Sequence, residues 1–142
     1  MEAKLIELAI FCSGIGHFGL CLGSLFIPKA LNWETQLSAL SPLIRQMFWT
    51  YAGYILAINL SFGILSVFGS DEMINRSFLA KGITLLIGAY WLARVLIQFV
   101  YFDRSQAPKG AVFLLGEVAL IALFVVFTVT YFVAFLINVE WL

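Results

Sequence analysis

Apolar residues run almost unbroken through four stretches of the chain, 5–27, 47–69, 77–102 and 111–138, and the polar residues gather between them. Each stretch reaches the ~20 residues a helix needs to cross hydrocarbon. The runs are continuous and do not alternate every second residue, which predicts helices and argues against a transmembrane barrel. The expected fold is therefore all-α: one integral membrane domain over 1–142, built as a four-helix bundle of transmembrane helices.

The connections refine this pattern. Pro28 cannot continue a helix and is expected to stop the first one at Ile27. Trp33, Leu37, Leu40, Ile44 and Met47 then recur at helical intervals among Asn32, Glu34, Gln36 and Ser38. That spacing predicts a short amphipathic helix at the membrane surface over about 30–41. Ser41 and Pro42 have the identities of an N-cap and first helical residue, and Trp49 and Tyr51 suit an aromatic belt where the second helix enters hydrocarbon. The short turn from Gly69 to Met73 implies that the second and third helices are antiparallel neighbours. Another tight connection, Asp103 to Gly110, joins the third helix to the fourth. No internal repeat is visible.

Composition agrees with the pattern: of 142 residues 63% are apolar and 11% charged, and the mean hydropathy is +1.02. Such a chain is expected in a bilayer. Formal net charge is zero, so nothing points to nucleic acid as a partner. No small-residue cleavage site follows the first apolar run, which is expected to be a retained span and not a removed signal. Both termini should lie on one side. Lys4, Arg76 and Lys81 on that side nearly balance Lys29, Arg45, Arg104 and Lys109 on the other, so the positive-inside rule leaves the orientation open, with a slight lean to the second side as cytoplasmic. Length and span count are those of small four-span bacterial membrane proteins, making a bacterial inner membrane the expected location. No motif ties the chain to a known family.

Candidate chemistry lies inside the spans. Arg94 and Glu117 are placed at matching depth by a hairpin of the third and fourth helices, ~10–13 Å below the surface near the Asp103–Gly110 turn. A single charge near a helix centre costs ~2.5–3.5 kcal/mol on the insertion scale, so the two are expected to neutralise each other by contact. Gln98 is one turn from Arg94 on the same face. In the fourth helix Glu117, Ile121, Phe124, Thr128, Tyr131, Phe135 and Asn138 follow a 3-4 spacing; in the first, Ser13, His17, Cys21 and Ser24 do the same. Tyr51, Asn59 and Ser66 supply polar groups from the second.

These stripes predict a buried polar site of Arg94, Glu117, Gln98, His17, Asn59 and Tyr54, in which Arg94 holds an anionic or carbonyl head group of a lipophilic ligand and Glu117 tunes or shuttles a proton. The competing use of Arg94 and Glu117 is structural, fixing the register of the hairpin, and a contact with another protein is a third. His17 is the sole imidazole. Haem held by His17 from two copies is compatible with the sequence but has no specific support, and a zinc site with Cys21 and Glu117 is poorer still. Cys12 and Cys21 fall on opposite helix faces and are expected to be packing residues.

Gly14-Ile-Gly16-His-Phe-Gly19 has the letters of a dinucleotide-binding loop but lies within a membrane helix, so it is read as packing. Gly16, Gly19 and Gly23 are expected to thin the first helix against Gly53, Ala57 and Ser61 of the second, or to form an oligomer seam. No span carries an internal proline, and one half of the bundle is almost wholly apolar, which speaks against a transporter or a pore. The leading expectation is a small binding or accessory protein, oligomeric or part of a membrane complex, with a buried pocket for a lipophilic molecule. The alternatives are a membrane-embedded enzyme acting on a lipid or quinone-like substrate, using Glu117 or His17 for proton transfer, and an oligomeric proton or ion conductor.

Overall fold

A computed structural model describes residues 2–103, 105 and 109–141. Its elements are α1 (Glu2–Ser24), α2 (Ile27–Ala30), α3 (Trp33–Ser38), α4 (Pro42–Phe68), a 3-10 turn (Glu72–Ile74), α5 (Phe78–Val100) and α6 (Ala111–Asn138). The four long helices are each long and apolar enough to cross a membrane.

Local chemistry explains where they begin and end. A proline ring clashes with the carbonyl four residues earlier, and for Pro28 that residue is Ser24, the last of α1. The helix therefore stops a few residues before the expected end at Ile27, and Pro28 is taken up in the first turn of α2. Asn32 in the left-handed region (φ 51°) turns the chain into α3. Pro42 opens α4 after Ser41, whose hydroxyl makes no capping bond there. Ser77 does cap α5, its Oγ accepting from the Ala80 N–H at 3.1 Å.

The segment predicted as one amphipathic helix is two short ones. Trp33 packs edge-on against Phe48 and Trp49 (centroids 4.9 and 5.7 Å apart), and Leu37 is buried. Leu40 follows the end of α3, Ile44 and Met47 belong to α4, and all three are exposed.

α1 packs on α4, α5 packs on α6, and α1 against α6 joins the two pairs. The expected neighbour relation of the second and third spans is not what forms: α4 and α5 approach each other mainly through side chains, as in the Phe62–Tyr90 ring contact at 5.3 Å. The reason is the linker, which runs from Gly69 to Ser77 around the 3-10 turn and carries α5 across to α6.

The α1–α4 seam depends on two glycines. A Cβ on Gly14 would stand 2.7 Å from Val67 Cγ2, and one on Gly63 would stand 3.2 Å from His17 Cβ. A Cβ on Gly16 would stand 3.0 Å from the Phe127 ring. Gly19, Gly23 and Gly53, expected to form this seam, have nothing within 4 Å of a built Cβ. The face of α1 turned to α4 carries Gly14 and Cys21, whose Sγ lies 3.9 Å from the Leu56 carbonyl, and Gly19 and Gly23 lie off that face.

Ile10, Ile87, Trp91, Phe127, Tyr131 and Ala134 form the innermost core. Beyond it, at the end that includes the α5–α6 connection, α4 and α6 are exposed on nearly all sides. At the opposite end Asn138 ties the bundle shut. Its Oδ1 accepts from the Arg76 N–H at 2.9 Å and its Nδ2 donates to the Met73 carbonyl at 2.8 Å.

Candidate functional site

Arg94 and Glu117 stand equally far from the ends of their helices, at Val100 and Ala111, ~9 Å by helical rise. They face one cavity of about 1030 Å³. Its walls come from the end of α1 and α2 (Ile27, Leu31), from α5 (Arg94, Gln98, Phe102) and from α6 (Phe113, Glu117, Leu120, Ile121, Phe124), with Asp103 and Lys109 at the connection.

The two charges do not touch. Among the described residues the one ion pair within 4.0 Å is Arg76 with Glu140, on the exposed surface at the other end. Gln98 stands between Arg94 and Glu117: its Oε1 accepts from Arg94 Nη1 at 3.1 Å, and its Nε2 donates to Glu117 Oε1 at 3.1 Å. The expected direct contact is thus replaced by an amide relay. One turn of helix puts the Gln98 amide beside the guanidinium, and its carbonyl and NH₂ ends match a cation on one side and a carboxylate on the other.

Two rings lie beside the guanidinium. Its carbon lies 5.1 Å from the centroid of Phe102 and 5.0 Å from that of Phe124, within cation–π range. Phe124 in turn stacks on Trp91 (4.9 Å, 24°), which forms the floor behind Arg94. Neither ring was anticipated as part of the site. The signal was available, since Phe102 follows Arg94 by two turns and Phe124 lies on the Glu117 stripe.

His17 is behind that floor, not in the cavity. Its side chain is wholly buried and its ring stacks on Phe127 (4.0 Å, 13°). Trp91 Nε1 donates to Nε2 at 3.0 Å, and because an indole only donates, Nε2 must be the acceptor and Nδ1 carries the proton given to the Ser13 carbonyl at 2.7 Å. With both nitrogens used, the ring has no lone pair left for haem iron, and it is sealed from any substrate that could exchange a proton with it. The structure thus does not bring His17 into the cavity that Arg94 and Glu117 line.

Asn59 is also buried elsewhere, on α4. Its Nδ2 donates back to the Ile55 carbonyl at 2.9 Å, while Oδ1 is out of hydrogen-bond geometry and has Tyr90 as a polar neighbour. Tyr54 points away from the bundle and is 64% exposed. Three of the six expected residues, Arg94, Gln98 and Glu117, are therefore brought together; His17 and Asn59 belong to the core and Tyr54 to the outer surface. The difference comes from helix rotation: the polar residues of α1 and α4 point inward at the level of Trp91, below the cavity.

Cys12 is exposed and Cys21 buried, its Sγ directed at the Leu56 carbonyl at 3.9 Å. Among the described residues no three potential metal-ligating side chains converge. At the connection, the Asp103 carboxylate accepts from the Ser105 N–H (2.8 Å) and hydroxyl (3.0 Å), and these bonds hold it below the usual carboxylate range. No family model, curated protein or solved structure matches the chain.

Proposed function

We propose that this chain is a multi-pass membrane protein that binds one end of a lipophilic molecule in the cavity between α1–α2 and the α5–α6 pair, serving as a binding or accessory protein. The observation that carries the reading is the composition of that cavity: Arg94, Gln98 and Glu117 are linked in one hydrogen-bonded row, and the surrounding walls are Ile, Leu and Phe. Ligand sites have this character, largely apolar with a few converging polar groups, and ~300–1,000 Å³ is their usual size. Four helices long and apolar enough to cross a membrane support this reading, in which the cavity opens in or beside hydrocarbon and a lipid-soluble molecule enters without crossing water. α2 and α3 lie at the membrane–water boundary in this reading, with Trp33 and Trp49 as interfacial aromatics.

The enzyme alternative retains Glu117, which faces the cavity, as the group able to exchange a proton with a bound molecule. It loses His17. Conduction has less support, because the packed rings of Trp91, Phe124 and Phe127 stand between the cavity and the buried polar groups nearer Asn138.

The test is copurification. Extracted gently from its membrane, the chain should carry a lipophilic molecule detectable by mass spectrometry. Leu120→Trp, which fills the cavity from an exposed wall position, should remove most of it while leaving the helical content unchanged. Equal retention by the filled variant would overturn the reading.

A further inference from the structure

The state of Arg94 narrows the class of molecule, on the premise that the cavity is a ligand site. A guanidinium has five N–H donors, and among the described residues the partner of Arg94 is the Gln98 carbonyl, bonded to Nη1 alone. Phe102 and Phe124 lie beside it but offer no hydrogen-bond acceptor, so the rest of its N–H edge has no acceptor among the described residues. The edge carries the fork of parallel N–H groups that matches two oxygens of a carboxylate or phosphate. Gln98 occupies the space through which Glu117 would otherwise reach it, and the internal counter-charge stays beyond 4.0 Å.

A cation held in a low-dielectric wall without a carboxylate in contact is costly, and an oxyanion on its open edge offsets that cost where a neutral carbonyl does not. One further group agrees in sign: Lys109 lines the same cavity, while the two carboxylates of that lining, Asp103 and Glu117, accept hydrogen bonds from Ser105 and Gln98. Behind the edge the walls are Ile27, Leu31, Phe113, Leu120 and Ile121, which suit an alkyl chain.

We infer that the cavity takes an anionic amphiphile, its carboxylate or phosphate seated on the edge of Arg94 and the first part of its chain lying against α6. The shared chemistry is an oxyanion on an apolar tail; a fatty acid and an anionic phospholipid both supply it.

Native mass spectrometry of the full chain in an uncharged detergent tests this with oleate, dioleoylphosphatidylglycerol, dioleoylglycerol and oleylamine at equal concentration. At least one of the two anionic probes should be retained about tenfold or more over the neutral and cationic ones, since charge-assisted bonds discriminate on that scale. Oleate alone identifies a carboxylate as the source and the phospholipid alone a phosphate. Arg94→Met should lose that preference and Arg94→Lys keep part of it. If Arg94→Met does not fold, the probe order on the unaltered protein still decides. Equal retention of all four probes, with loss of all four in Leu120→Trp, would overturn the oxyanion while leaving the lipophilic site intact. Retention of none would overturn both.

Discussion

A methyl group on Gly14 would stand 2.7 Å from Val67 Cγ2 and 3.0 Å from the Val67 backbone nitrogen, so α1 and α4 cannot keep their distance if it is added. Gly14→Ala is expected to destabilise the protein by about 1–3 kcal/mol, the usual cost of overpacking. Gly19→Ala meets open space and should be neutral or slightly stabilising, since alanine is the better helix former. Thermal unfolding in detergent separates the two, and equal shifts would contradict the seam. The same scale governs His17. Trp91→Phe keeps an aromatic ring at the core but leaves Nε2 of a wholly buried imidazole without its donor, at about 1–3 kcal/mol. In a His17→Phe background the same change should cost clearly less, a comparison that reads the hydrogen bond separately from the packing.

Among the elements, the 3-10 turn between α4 and α5 is held by one side chain of α6. Asn138→Ala removes the acceptor for the Arg76 N–H and the donor to the Met73 carbonyl, and should cost about 2 kcal/mol or more. Arg76→Ala leaves the backbone N–H in place and removes an exposed pair with Glu140 at 3.2 Å, worth about 0–1 kcal/mol. Denaturation of the two variants side by side checks the difference. The α5–α6 connection responds to pH. The pKa of Asp103 is lower in the folded protein than in the unfolded chain, so its contribution is present above the unfolded value and is lost as pH falls through the lower, folded one. The Ser105 amide resonance should therefore titrate with a midpoint below the ordinary aspartate value of about 3.9, and Asp103→Asn should abolish that titration.

Over the whole molecule, packing is uneven from end to end. Around Trp91, Phe127 and Tyr131 all four long helices meet, and Ser66 of α4 reaches the Tyr131 hydroxyl of α6 at 2.6 Å. At the cavity end α4 and α6 lie apart with few buried side chains. Few buried contacts mean a low local free energy of opening. Amide exchange in detergent should accordingly be faster over 44–52 and 113–120 than over 84–91 and 127–134. Uniform protection along each helix would count against a loosely packed end. A cavity at the looser end is also the place where a bound chain gains most, because it supplies apolar contacts that the protein lacks there.

How much of this could be read in advance follows from what a one-dimensional pattern encodes. Burial of backbone polar groups forces any long apolar run into a helix, so the four long helices were legible from the runs alone. The shared depth of Arg94 and Glu117 was legible too, because helical rise is fixed and their distances from a tight connection can be counted. Rotation and pairing are different, since they depend on which helices come close and at what angle. Only the tertiary structure therefore decided that Gly14 and Gly63, and not Gly19 and Gly53, form the seam, and that His17 and Asn59 face the core below the cavity. It also decided that Gln98 stands between the two charges. A few tens of degrees of helix rotation separate a contact from a bridge, and that angle is set by the sum of packing across all four helices, which no local spacing contains.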